Sequence, residues 1–429
     1  MSRRPAHQVT TRHLGAAYPF VAGLAGEPGG VVIGRDLSGA IFAHDPFVLY
    51  RRGRLTNPNM VVFGQLGRGK SALVKSYLWR QSVFGRQAWV VDPKGEYGAL
   101  ARHWGTAPVA LRPGGRLRVN PLDAPGAGAD DGAEVVRWRS ELLAALVGAG
   151  LGRSLLPTER AAVDLAVEAV SARSASPVLP EVVDALLQPT AAAAAAVRTD
   201  VATLAADGRH AALELRRMVA GDLRGMFDGP TTAGLDLGGR LVVLDLSALY
   251  RSPALGVVMT CATAWLHGRL GVGRGARRPG RAGAGGSGGT LVVVDEAWAI
   301  LADLAVARWL QSSWKLARAW GVANVAVLHR VSDLAAAGSA GSAHRLVAQG
   351  LVADSETRVV YAQADSEVEE AARFLGLTPT EASLVPRLGR GVGLWKVGDA
   401  SHVVRHVLSP VERTMVGTDE AMADAAGSP

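Results

Sequence analysis

The sequence predicts an α/β fold: a mostly parallel central sheet flanked by helices, interrupted by an all-α insertion. Three observations predict it. Short, nearly continuous apolar runs rich in valine and leucine end in a polar residue or turn signal, as strands buried on both faces do. Helix-compatible stretches lie between those runs. One long segment, residues 128–226, instead carries alanine-rich amphipathic stretches.

In chain order, residues 1–58 read as an N-terminal tail and a short β lead-in, because "GGVVIGRDLSGAIFAHD" holds two strand-like runs around a turn. The opening "MSRRPAHQVTTRHLGAAYPF" lacks the apolar core of a signal peptide. Residues 59–127 form the first part of the core, with strands "MVVFG" (60–64) and "AWVVD" (88–92). The insertion, 128–226, contains "EVVRWRSELLAALV", "TERAAVDLAVEAVSA", "LPEVVDALL" and "AAAAAAVRTDVATLAA", with Thr158 read as an N-cap and Pro180 as a first-turn residue. The core resumes over 227–412 with "LVVLD" (241–245), "TLVVVD" (290–295), "VANVAVLH" (322–329) and "TRVVYAQ" (357–363). Within it, "GVGRGARRPGRAGAGGSGG" (271–289) is too rich in glycine and arginine to bury a core and reads as a flexible loop. Residues 413–429 read as a disordered tail.

With 48% hydrophobic and 20% charged residues, a sizeable core is expected. The lone Cys261 excludes a disulfide framework and sits in an apolar stretch, as a small buried residue of a reducing compartment would. No run approaches the roughly 20 apolar residues that span a bilayer, and "ALGVVMTCATAWLHGRL" reads as a buried helix. The net charge of +8 is concentrated in "SRRP", "YRRGR" (50–54) and "GRGARRPGR" (273–281), a pattern that serves solubility or polyanion binding equally well.

The chemistry lies at the strand ends. After the first core strand comes Gly64, Gln65, Leu66, Gly67, Arg68, Gly69, Lys70, Ser71 and Ala72, and then a helical stretch. Such a loop offers successive backbone N–H groups to phosphates, with Lys70 reaching the β- and γ-phosphates and Ser71 holding Mg²⁺. ATP with Mg²⁺ is the expected ligand pair. Hydrolysis needs a carboxylate on the metal, and the strands ending at Asp92, Asp245 and Asp295 compete for that role. Only Asp295 is followed by a second acid, Glu296, so Asp295 is assigned to Mg²⁺ and Glu296 to the general base. The separation of Lys70 from Asp295 requires at least one strand between the two motif strands, an arrangement typical of ring-forming RecA-like P-loop NTPases.

With those residues placed, the chain resembles the HerA–FtsK superfamily, most nearly the conjugative type IV secretion ATPases of the TraC-like, VirB-four class. The resemblance runs over roughly residues 30–412. It rests on "VVDPKGEYGAL", "RVNPLDAP", "MFDGPTTAGLDLGGRLVVLDLSAL", "VVVDEAWAIL", "LARAWGVANVAVLHRVSDL" and "LGLTPTEASLVPRLGRGVGLWKVG". It implies a motor domain that is hexameric when active, cytoplasmic, and peripheral at the inner face of the cell membrane, where secretion-channel or conjugation membrane subunits would be its partners. It places His329 where the family usually has a sensor glutamine, and Arg358, with Arg318 second, as the arginine acting in trans. Glu96 falls either near the catalytic water or simply at a helix start. Three functions follow: a secretion motor, a DNA translocase or coupling protein with DNA as its partner, and an ATP-binding scaffold with little turnover.

Overall fold

The computed structural model describes residues 30–123, 132–235, 239–275, 289–317, 321–329 and 343–417. Its centre is one 11-stranded sheet. The strands are β1 (Val31–Asp36), β2 (Ile41–His44), β3 (Met60–Phe63), β4 (Gln87–Asp92), β5 (Val109–Ala110), β6 (Leu241–Asp245), β7 (Thr290–Val294), β8 (Val322–Leu328), β9 (Thr357–Val360), β10 (Val392–Val397) and β11 (Ala400–His406). Their order across the sheet is β2-β1-β11-β10-β9-β3-β8-β7-β4-β6-β5. Every pairing from β5 across to β9 is parallel, and every pairing from β9 across to β2 is antiparallel.

The apolar runs are continuous because both faces of the parallel half are covered. Val61, Phe63, Trp89, Val91, Val292 and Val294 enter one core, and Met60, Val62, Ala88, Val90, Leu291 and Val293 enter the other. The second core is closed by α2 (Lys70–Gln81), through Leu73, Val74, Tyr77 and Leu78, and by α3 (Gly98–His103), through Leu100 and Ala101. The first is closed by α9 (Leu255–Gly275), α11 (Leu304–Ala317) and the helices that follow β5.

Those helices are α4 (Gly132–Leu151), α5 (Pro157–Arg173), α6 (Leu179–Leu187), α7 (Ala191–Ala196) and α8 (Val201–Ala220). Their buried residues, Leu142, Val163, Val182 and Leu215 among them, belong to the same core as Val61 and Phe63. The inserted helices are thus welded to one face of the sheet. Within α9, Cys261, Trp265 and His267 are fully buried. Among the described residues, no helix is long and apolar enough to cross a membrane.

The structure corrects several boundaries. The β lead-in is part of the main sheet, since β1 pairs with β11. The two-residue strand β5 lies at the sheet edge ahead of the insertion. The antiparallel pair β10–β11 extends the sheet beyond β9. Thr158 is not an N-cap: Pro157 opens α5, and Glu159 accepts the N–H of Leu156 at 2.8 Å. Helix α9 runs to Gly275, into the segment read as a loop, whose residues 276–288 lie outside the described residues. A helix, α15 (Pro410–Val416), crosses the expected start of the tail and buries Met415; residues 418–429 lie outside the described residues.

Candidate nucleotide site

The loop after β3 is shaped by glycines where the backbone requires them. A Cβ on Gly64 would run into Tyr361, and Gly69 caps α2 at φ 109°, in the left-handed region. Lys70 is the first residue of that helix, and its ammonium folds back onto the loop, donating to the carbonyls of Gly64 and, at 2.9 Å, Gln65. Burial lowers its pKa to about 8, opposed by the negative charges of Asp295 and Glu296. Ser71 follows one residue later on α2, half-buried.

Strand β8 lies between β3 and β7, as the motif spacing requires. Asp295 therefore stands at the tip of β7, two strands from the loop. It is 3% exposed, and burial together with the charges of Glu296, Glu96 and Asp92 raises its pKa to about 7. One of its oxygens accepts the N–H of Glu296 at 2.9 Å. Glu296 itself sits at φ 53°, a left-handed conformation that costs a non-glycine residue about 1 kcal/mol. Both of its oxygens are engaged. Oε1 receives Nζ of Lys94 and, at 2.5 Å, Nε2 of His329; Oε2 receives the indole N–H of Trp298 at 2.5 Å. Burial alone would raise this carboxyl, but His329 and Lys94 outweigh it and hold it at about 2.

A third acidic strand end completes the cluster. The Asp92 carboxylate accepts the N–H groups of Lys94 (3.2 Å), Glu96 (3.1 Å) and Tyr97 (2.9 Å), so it braces the turn after β4. Burial still raises its pKa to about 6. Asp245 pairs with it in register on β6 and accepts the N–H of Ser247 at 2.9 Å. Glu96 lies 3.6 Å from Nζ of Lys75, a fully buried lysine on α2 that also stands 5.5 Å from the Tyr97 ring centroid. The charges of the partly exposed Glu96 and of the buried Asp295 and Asp92 all act on Lys75.

The structure thus brings Lys70, Asp295, Glu296, His329 and Glu96 to one end of the sheet. Arg358 lies elsewhere: on β9, opposite Val61, its guanidinium donates to the carbonyls of Ser355 (3.2 Å) and of Leu375 (2.9 Å), which ends α13 (Asp365–Leu375). Arg318 lies outside the described residues. Sequence reasoning missed Lys94, Lys75 and Trp298 as parts of the site. Lys94 stands in the quoted "DPKGEY" stretch, but nothing in one sequence pairs it with an acid so distant along the chain.

The residues fit a magnesium–nucleotide. Among the described residues the loop's lysine donates to its own backbone carbonyls, and the strand two away presents a buried carboxylate whose raised pKa a bound cation would lower.

The fold is shared with solved structures. It is similar to VirB4 of Thermoanaerobacter pseudethanolicus, at 21% identity and a TM-score of 0.69, over 91% of this chain and 99% of that one. It is also similar to the bacterial conjugative coupling protein TrwB, at 14% identity and a TM-score of 0.57, over 90% of each chain, and to TrwB in complex with ADP and Mg²⁺, at 15% identity and a TM-score of 0.58. No family model and no curated protein matches the sequence. At these identities the likeness establishes the α/β fold with its mostly parallel sheet.

Proposed function

We propose that this chain is a Mg²⁺-dependent ATPase that powers a conjugation or type IV secretion apparatus. The observation that carries the reading is the convergence of Lys70 with the Asp295–Glu296 pair across one intervening strand. The fold it shares with VirB4 along nearly the whole of that chain supports the secretion assignment.

In this reading the loop N–H groups and Lys70 hold the phosphates, and Ser71 and Asp295 hold the metal. Mg²⁺, when bound, neutralises phosphate charge. Glu296 orients the attacking water and takes its proton. His329, anchored at the tip of β8, steadies Glu296 through their 2.5 Å contact. A hexameric ring, an arginine supplied in trans and a position at the inner face of the membrane belong to the same proposal. In the isolated chain Arg358 is a strut between β9 and α13, so acting in trans would require it to release both carbonyls.

A coupling-protein role, with DNA as substrate, is the second reading, favoured by the likeness to TrwB and the net charge of +8. Steady-state ATPase assays with Mg²⁺ test both. Lys70→Ala should lose at least ~100-fold in kcat/KM, because it removes the phosphate-binding charge. Stimulation by DNA that falls steeply with salt would favour the coupling role; stimulation by channel subunits alone favours the secretion motor. Absence of Mg²⁺-dependent turnover in the wild-type chain would refute the ATPase reading, and wild-type turnover in the Lys70→Ala protein would remove this loop as its site.

A further inference from the structure

Glu296 is a weakened base in the arrangement observed. Lys94 and His329 share one of its oxygens and Trp298 holds the other, so three of a carboxylate's roughly four lone-pair positions are taken. Withdrawal of one donor would strengthen it. Trp298 is two residues away and neutral, and His329 is fixed to the end of a central strand. Lys94 differs from both. Its backbone is braced by Asp92 and by the approach of Gly95 to Ser247, whereas its ammonium, which also lies 3.3 Å from Nε2 of His329, is carried on a four-carbon stem of rotatable bonds. Its side chain is 20% exposed, it borders an open groove of about 710 Å³ lined also by Glu96, Arg102, His103 and Thr414, and its Nζ stands 5.5 Å from the Tyr250 ring centroid. Lys94 is also near enough to Lys70 for the two charges to oppose each other, so an anion bound beside them would relieve that repulsion.

We propose that Lys94 is a latch on Glu296 that the γ-phosphate releases: without nucleotide it ties the carboxylate down beside His329, and the terminal phosphate of ATP draws the ammonium away and frees the base. The latch rests on the reading of Glu296 as the base of a Mg–ATP site. It makes Lys94 a positioning residue that distinguishes triphosphate from diphosphate, since ADP lacks the group that competes for the ammonium.

The test is calorimetric binding of Mg–ATPγS and Mg–ADP to the full chain as wild type, Lys94→Met, Lys94→Arg, Glu296→Gln and the Lys94→Met/Glu296→Gln double variant. Lys94→Met should weaken ATPγS about 10-fold and ADP less than about 2-fold, because only the triphosphate recruits the ammonium. Lys94→Arg should keep most of the preference. Glu296→Gln should tighten ATPγS about 5-fold, as the lysine no longer has to leave a carboxylate, and that gain should fall below about 2-fold when Lys94 is also absent. Equal losses for both nucleotides in Lys94→Met, or a Glu296→Gln gain that survives without Lys94, would overturn the latch. Should Lys94→Met fail to fold, Lys94→Arg and Glu296→Gln still decide: an arginine variant without preference, or a glutamine variant without gain, ends the proposal. Turnover separates the two layers. A Glu296→Gln protein hydrolysing at the wild-type rate would remove the base assignment, whereas an inactive one with no binding coupling would remove only the latch.

Discussion

Asp295, the proposed metal ligand, shows what a buried carboxylate costs a fold that stands without a metal cation beside it. It is buried among Glu296, Glu96 and Asp92, and its pKa is lifted from the usual 3.8 to about 7. The folded state therefore holds this proton more tightly than the unfolded chain does. Relative to a neutral side chain, stability falls as pH rises through the window from about 4 to 7 and stays low above it, bounded by ~4 kcal/mol at pH 8. Asp295→Asn should then raise the melting temperature of the nucleotide-free protein at pH 8, with a smaller gain at pH 5, while abolishing Mg²⁺-dependent turnover. Melting curves without Mg²⁺ at the two pH values check the first part; a destabilised Asp295→Asn protein at pH 8 would mean that Lys75 already compensates the charge in full. Glu296 carries a second cost in its left-handed backbone. The two costs fall on consecutive residues, which is where a function-bearing strand end is expected to depart from the optimum for stability alone.

Elements are held around this site by side chains that bridge them, and Arg80 is the clearest case. From α2 it donates to the carbonyls of Val32, Ile33 and Val407 and, at 2.5 and 2.8 Å, to the carboxylate of Glu412. One guanidinium thus ties the phosphate-loop helix to β1, to the end of β11 and to α15. Arg80→Ala should cost about 2 kcal/mol, because it strips the ion pair from the nearly buried Glu412, which keeps only the N–H of Ser409. It should also open the C-terminal helix to limited proteolysis, read by mass spectrometry, and an unchanged cleavage pattern would show that Met415 alone anchors α15. None of this was readable in the sequence, where the C-terminal segment seemed a tail beginning at residue 413. The parallel strands were readable because valine and leucine fill both of their faces. β10 and β11 were not, since Lys396, His402 and Arg405 interrupt the apolar pattern of strands buried less evenly. Thr158 misled for a local reason: Pro157 and Glu159 start α5 on either side of it.

Across the whole molecule, the part of the site visible in sequence was the part made of strand tips. A glycine-rich turn and a strand ending in Asp-Glu are local patterns, and the one-strand gap between them follows from their separation. The contacts that set the state of the site, Lys94 to Glu296 and Lys75 to Glu96, join residues on different elements and appear only when the sheet is assembled. The same limit applies one level higher, to the proposed ring. If ATP binding organises one edge of each subunit for its neighbour, a variant that binds ATP without consuming it should assemble, and one that cannot bind it should not. Glu296→Gln with Mg–ATP should therefore elute and scatter light as a particle near six times the 44.6 kDa chain mass, and Lys70→Ala should remain small under the same conditions. Mass action makes the contrast sharpest at subunit concentrations near the dissociation constant of the ring, where nucleotide linkage of about 2–3 kcal/mol moves most of the population. A dilution series of both variants, with and without Mg–ATP, measures that linkage directly. Identical assembly curves for the two variants would separate ring formation from the nucleotide site and leave the motor proposal to rest on turnover alone.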